Sequence, residues 1–305
     1  MKKVIITGAS GFVGSYLVNE FLSNGYEVTA VVRNEKSDVS AFQKKENINI
    51  VYCELKDIQT LKEKLSGQYD YFLHFAWESS AGQGRGNYEL QLKNVEYSCN
   101  CVKVAKLLGC KRFVFAGSIM AYEAKEFVLK NGAEPTSAYI YSIAKLTASM
   151  MAKTVAVQND IEFIDVVISN IYGVGEKSER FLNATVKKIV SGTESIDLTT
   201  CEQLYDFIYV TDAVRQIRFA LEKGEGLNSY YIGNKEQFKL RQFVEKIKIA
   251  LNSDVKLNFG AVEFSGAYFD YKSVIDTDSV FNLGFVTEID FETGVKLLKD
   301  SIDVK

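Results

Sequence analysis

Tyr141 and Lys145 are the residues whose types and spacing point most directly to chemistry. Four positions apart, they share one face of a helix. A free phenol, with a pKa of about 10, is a poor acid or base at neutral pH. A neighbouring ammonium favours the phenolate and eases the loss of its proton. Ser118 ends the run Phe115-Ala116-Gly117-Ser118. Its hydroxyl suits it to polarise a carbonyl while Tyr141 supplies a proton. Y-x-x-x-K alone occurs by chance in many helices. Tyr139 lies six residues from Lys145 and fits the shared face poorly.

A second feature is the turn Gly8-Ala9-Ser10-Gly11-Phe12-Val13-Gly14, which follows a short apolar run. Glycine permits a tight turn and a close approach of backbone N–H groups to a pyrophosphate. The start of the next helix adds further donors and positive partial charge. Gly8, Gly11, Phe12, Val13 and Gly14 are therefore candidate dinucleotide contacts. The spacing is G-x-x-G-x-x-G, not the commoner G-x-G-x-x-G. The next strand ends Val31-Val32-Arg33-Asn34, with no acid before Glu35. An NAD site usually places an acid there, on the ribose 2′-hydroxyl. Arg33 either pairs with a 2′-phosphate or is a solvated loop residue, and the missing acid favours NADP over NAD. Glu54 and Leu55, with Asp57 nearby, follow the third strand, where an adenine edge would lie.

These residues need a scaffold to bring them together. The pattern predicts strands over Val4–Thr7, Glu27–Val32, Ile48–Cys53, Tyr71–Phe75, Arg112–Ala116 and Phe163–Ile168. It predicts helices over Ser15–Asn24, Leu61–Ser66, Asn94–Leu108 and Ser137–Gln158. Strands that are apolar throughout, each followed by a helix, imply an α/β fold with a Rossmann-type, doubly wound parallel sheet. The strand-end position of Ser118 then lies at the ligand crevice. Residues 1–172 read as a dinucleotide-binding domain. Residues 173–305 read mainly as a smaller α/β substrate-binding lobe, with 206–223 returning to the sheet. Helices are predicted there over Phe181–Val190, Thr211–Leu221 and Leu240–Leu251, after a polar loop at 173–179. Pro135 is the only proline, and there is no repeat or low-complexity linker.

Composition excludes several alternatives. A chain of 305 residues with 47% apolar and 25% charged residues can bury a large core without staples. A net charge of −3 implies no basic face for nucleic acid. The five cysteines read as buried free thiols in a reducing compartment. His74 is the only histidine, so no histidine-built metal site is expected. The first apolar run stops at Gly8, too short for a secretory signal, and no stretch reaches membrane-spanning length. A soluble, cytoplasmic protein is expected.

With these motifs placed, the sequence resembles the extended short-chain dehydrogenase/reductases of the NAD-dependent epimerase/dehydratase type, which modify nucleotide-linked sugars. The resemblance runs through Gly8, Gly11 and Gly14, His74-Phe75-Ala76-Trp77, Asn94-Val95, Ser118, Tyr141 and Lys145. It continues through Asn170-Ile171-Tyr172-Gly173 and residues 206–212, and so covers nearly the whole chain. It implies a catalytic triad of Ser118, Tyr141 and Lys145. It adds Phe75, Ala76, Trp77 and Asn94 to the cofactor contacts, together with Tyr141 and Lys145. It places Trp77, Ser118, Asn170, Arg180 and Tyr205 on the substrate. His74 reads as a packed strand-end residue. Homodimerisation through the two long helices also follows from the resemblance.

The departures carry information. Ile119-Met120 stands where related 4,6-dehydratases hold an Asp-Glu pair, which argues against dehydration. Tyr205 stands where many relatives have arginine, and no arginine occurs near Phe264–Tyr268. Val167-Ile168-Ser169 replaces a usual Arg-Pro before Asn170. Lys177, Arg180 and Lys187 are the candidates to bind a diphosphate instead. The leading reading is an NAD(P)-dependent 4-ketoreductase of a nucleotide sugar. The alternatives are a 4-epimerase that keeps NAD bound and, in a different class, a non-catalytic dinucleotide-binding regulatory protein.

Overall fold

A computed structural model of the protein describes residues 1–129, 135–264 and 269–302. The first half alternates strand and helix. It contains β1 (Lys3–Thr7), α1 (Phe12–Ser23), β2 (Glu27–Val32), β3 (Ile48–Tyr52), α2 (Leu61–Lys64) and β4 (Tyr71–His74). There follow α3 (Tyr88–Leu107), β5 (Arg112–Ser118), α4 (Met120–Leu129), α5 (Ala138–Gln158) and β6 (Glu162–Ile168). Next come β7 (Asn170–Tyr172), α6 (Phe181–Val190), β8 (Ser195–Leu198), β9 (Leu204–Tyr205), β10 (Phe207–Tyr209) and α7 (Val210–Lys223). The chain ends with β11 (Ser229–Ile232), β12 (Phe238–Lys239), α8 (Leu240–Ala250), β13 (Lys256–Phe259), α9 (Tyr271–Val274) and α10 (Phe291–Asp300).

Seven strands form one sheet in the order β3-β2-β1-β4-β5-β6-β11. Every described pairing from β3 to β6 is parallel. This is a Rossmann-type doubly wound α/β sheet. The strand order reverses between β1 and β4, which opens a crevice beyond their carboxyl ends. Val4, Ile5 and Ile6 of β1 and Phe113, Val114 and Phe115 of β5 are fully buried. Apolar burial on both sheet faces is what covering helices require.

Side chains alternate along a strand, so residues two apart share a face. Phe72, Phe113 and Phe163 are register partners on β4, β5 and β6. Their rings stack at 5.4 and 5.8 Å between centroids. Two residues further along, the same face carries His74, Phe115 and Asp165. His74 ends β4, whereas Phe115 and Asp165 sit midway along β5 and β6. On α5, Ala144, Ala148, Ala152 and Ala156 recur at every fourth position and are buried in the core with this aromatic face and with α3. Small residues at that spacing let the helix lie close to its neighbours.

The chain forms two compact units, Met1–Ile168 with Val214–Tyr230, and Ser169–Ala213 with Tyr231–Lys305. β11 enters the large sheet, whereas β10 pairs with β7 in a separate two-stranded ladder. In the second unit, buried Asp206 accepts from the Tyr231 hydroxyl at 2.6 Å and from Asn234 N at 2.8 Å. Burial pushes its carboxyl up to about 6, against these hydrogen bonds. Among the described residues, no helix is long and apolar enough to cross a membrane.

Candidate active site

The glycine turn closes over the end of β1. Gly8 has φ +73°, and a Cβ there would lie 2.7 Å from Ala76 N. A Cβ on Gly14 would lie 2.0 Å from the Gly8 carbonyl oxygen. Both positions therefore exclude any side chain. α1 begins at Phe12, three residues before the sequence pattern predicts, so Phe12, Val13 and Gly14 form its first turn. Gly11 caps it without a side-chain bond, and the first turn holds no acid. The helix N-terminus is thus left with positive partial charge and free N–H groups facing the crevice end of β1. That cradle fits a pyrophosphate.

A buried polar chain ties β1 to β4. Ser98 donates its hydroxyl proton to Asn94 O at 2.8 Å, so it accepts from His74 Nε2, 3.2 Å away. His74 Nδ1 then accepts the Thr7 hydroxyl proton at 2.8 Å, and Thr7 Oγ1 accepts from Ala76 N at 3.3 Å. These partners assign the Nε2–H tautomer. Burial, aided by Lys145, drives the His74 pKa down to about 3, so the ring stays neutral. His74 is a structural strut that fixes the backbone of Phe75 and Ala76 beside Gly8.

Asn94 and Gln91 of α3 anchor the loop after β4. Asn94 accepts from Glu78 N at 2.9 Å and donates to Glu78 O at 3.0 Å. Its amide is thereby used to hold that loop. Gln91 accepts from Trp77 Nε1 at 2.8 Å and donates to Gly84 O at 3.0 Å. Gln91 was not among the residues singled out from the sequence. A glutamine on a polar helix turn gives no signal of burial, yet here it orients Trp77.

Trp77 in turn faces Lys145, whose Nζ lies 3.7 Å from the indole ring centroid. The same Nζ donates to Ala116 O at 2.8 Å and lies 5.3 Å from the Phe115 ring. Burial lowers the Lys145 pKa to about 7, the attraction of Asp165 opposes this, and Arg85 adds repulsion. Asp165 also accepts a hydrogen bond from Ser149 on α5. It sits against Gly117, where a Cβ would overlap its Oδ1. The Asp165 contribution arises from strand register, which no local motif reveals.

Tyr141 lies in the first turn of α5 and is buried. Its ring meets Trp77 edge to face at 6.0 Å, and Lys145 Nζ lies 6.0 Å from its centroid. Ser118 ends β5 and accepts from Met120 N at 3.3 Å. Ser118, Tyr141, Lys145, Trp77 and the glycine turn thus all belong to the first unit. Met120 opens α4, a helix that the sequence pattern did not indicate.

At the far end of the crevice, Arg33 is exposed just past β2. Glu54, just past β3, pairs with Lys56 at 2.8 Å. The hydrogen bond and charge of Lys56 lower the Glu54 pKa, and Arg33 contributes further. Leu55 is buried. The candidate substrate residues Asn170, Arg180 and Tyr205 lie in the second unit. Asn170 donates to Asp206 O at 3.0 Å. Arg180 precedes α6 and is exposed. Tyr205 packs on Phe207 at 5.0 Å. Lys187 is paired with Glu179 at 2.7 Å. Residues 265–268 of the segment where an arginine was sought lie outside the described residues. All five cysteines are free thiols. Among the described residues, no group of three or more His, Cys, Asp or Glu gathers to hold a metal.

A model of the NAD dependent epimerase/dehydratase family matches residues 4–233. The chain belongs to this family. It is 25% identical to the CDP-abequose synthase of Salmonella muenchen over 97% of this chain and 96% of that protein. It is 24% identical to the dTDP-4-dehydro-6-deoxyglucose reductase of Escherichia coli over 84% of each. Among solved structures, the UDP-glucose 4-epimerase of Thermotoga maritima, crystallised with UDP-glucose, superposes with a TM-score of 0.80. That match covers 98% of both chains at 21% identity, and it bears on the fold.

Proposed function

We propose that this family member is an NADP(H)-dependent 4-ketoreductase of a nucleotide-linked sugar. The observation that carries this reading is that Lys145 lies beside the Tyr141 ring and donates to Ala116 O on the strand that ends at Ser118, in the unit that also holds the N-terminus of α1. The bound dinucleotide would supply the hydride that reduces the ketone. Tyr141 gives its proton to the ketone oxygen, and Ser118 holds that oxygen. Lys145 holds a nicotinamide ribose hydroxyl and, while it is protonated, favours the ionised form of Tyr141. Gly8, Gly11, Phe12, Val13 and Gly14 take the pyrophosphate. Phe75, Ala76 and Trp77 line the dinucleotide site, where Asn94 acts by anchoring their loop. Glu54 and Leu55 border the adenine, and Asn170, Arg180 and Tyr205 serve the substrate.

The similarity to a reductase of a dTDP-linked 4-dehydro sugar supports the substrate class. Ile119 and Met120 supply no paired carboxylates, so elimination of water is not proposed. Exposed Arg33, with no acid at the end of β2, supports NADP(H). One observation favours a second reading, a 4-epimerase that retains NAD. Glu54, just past β3, feels the charge of Arg33, and an acid in that neighbourhood suits a ribose 2′-hydroxyl.

The test is to mix the protein with NADPH and a panel of 4-keto nucleotide sugars and follow the nicotinamide absorbance. Stoichiometric loss of the reduced cofactor supports the reductase. Interconversion of two sugars with no net consumption supports the epimerase. Tight dinucleotide binding with neither activity marks a non-catalytic binder.

A further inference from the structure

The loop between β4 and α3 carries Gly82-Gln83-Gly84-Arg85-Gly86, and none of these residues has a role in the function above. The loop is tightly built. Arg85 N donates to Gly82 O at 3.2 Å, and Asn87 N donates to Gly84 O at 3.2 Å. The Gln91 amide adds its bond to Gly84 O. A Cβ on Gly84 would lie 2.4 Å from Ser79 Oγ, and one on Gly86 would lie 3.1 Å from Ser137 Cβ. The loop therefore rests directly on the start of α5. This brings the guanidinium carbon of Arg85 to 4.1 Å from the centroid of the Tyr141 ring. An Arg85 nitrogen also donates to the sulfur of Met120.

We propose that Arg85 is a positioning residue for Tyr141, whose guanidinium fixes the ring and favours the phenolate over the phenol. An aromatic face is electron-rich and attracts a cation. Ionising the hydroxyl adds negative charge to that ring, so a cation over the face stabilises the phenolate more than the phenol. Lys145 is tethered to Ala116 O and to the Trp77 face, and it lies further from the Tyr141 ring, at 6.0 Å. Arg85 is thus nearer to the ring than Lys145, whose charge burial confines to below about pH 7. The other groups around this pair come from three elements. Glu123 of α4 faces Arg85, and burial raises its pKa to about 6 against the pull of Arg85. Asp165 of β6 draws Lys145, and His74 of β4 is neutral.

The proposal rests on reading Tyr141 as the proton donor, but its test does not need turnover. Protein labelled with 13C at the tyrosine ζ carbons is titrated by NMR, and Tyr141→Phe assigns the signal. Arg85→Met should raise the Tyr141 midpoint by about one pH unit, and Arg85→Lys by less. An unchanged midpoint in a folded Arg85→Met protein overturns the proposal. If the methionine variant does not fold, Arg85→Gln provides the same comparison. In kinetics, the alkaline limb of kcat/KM for ketone reduction should move upward by the same amount. Absence of any ketone reduction would count against the proposed function, and the NMR comparison would still decide the role of Arg85.

Discussion

Among single residues, Tyr141 and Lys145 bear most on the chemistry. Tyr141→Phe keeps the ring that packs on Trp77 but loses the proton. Ketone reduction should fall roughly a hundred- to ten-thousandfold, with dinucleotide binding unchanged in a fluorescence titration. A smaller loss would show that another group protonates the product. Lys145 gives a prediction about stability. Burial holds its pKa at about 7 in the folded chain, against an ordinary value of 10.5. Below pH 7 both folded and unfolded chains carry the ammonium, and the folded chain bears the full cost of burying it. Between about pH 7 and 10.5 the folded chain gives up its proton while the unfolded chain keeps it, so this cost fades as pH rises. Lys145→Met should therefore melt several degrees above wild type at pH 6, and this advantage should shrink steadily toward pH 10. A melting difference independent of pH would contradict the buried-charge reading.

At the scale of elements, the strands and helices were legible because their apolar runs and periods are strong. Glu27–Val32 and Phe181–Val190 fall where the pattern puts them. The ends were less legible, and two of them matter. α1 starts at Phe12, since Gly11 can serve as cap without offering any side-chain signal. α3 starts at Tyr88 and not at Asn94, because Asn87 accepts from Leu90 N at 3.1 Å and caps a polar first turn. That extra length carries Gln91, and so the anchor of Trp77. The Tyr-Lys spacing and the strand-end serine could be read locally. The Asp165–Lys145 attraction and the Arg85–Tyr141 contact could not, because they depend on register and on the path of a loop. The glycine turn yields the prediction at this scale. Gly14→Ala would force its Cβ into the Gly8 carbonyl. It should destabilise the chain by about 1–3 kcal/mol and weaken dinucleotide binding at least about tenfold, read by melting and by titration. Unchanged affinity would mean that the turn does not hold the pyrophosphate.

At the scale of the whole molecule, α3 and α5 expose a run of large apolar side chains. Tyr88, Leu92 and Leu107 lie on α3, and Ile143, Met150, Met151 and Val157 on α5. Apolar exposure concentrated on two neighbouring helices suits a self-complementary contact. We expect a homodimer through this face, and the double substitution Leu92→Glu with Met150→Glu should yield monomers in sedimentation. A wild-type chain already monomeric at micromolar concentration would contradict this. The proposed activity is reduction of a nucleotide-sugar ketone through Tyr141. Its most direct test is to incubate the protein with a 4-keto nucleotide sugar and NADPH carrying deuterium at both C4 positions of the nicotinamide, then examine the product by NMR. We expect one deuterium at sugar C4, formed with one equivalent of NADP, and its loss in Tyr141→Phe. A product free of deuterium, or two sugars interconverting without oxidation of NADPH, would contradict it.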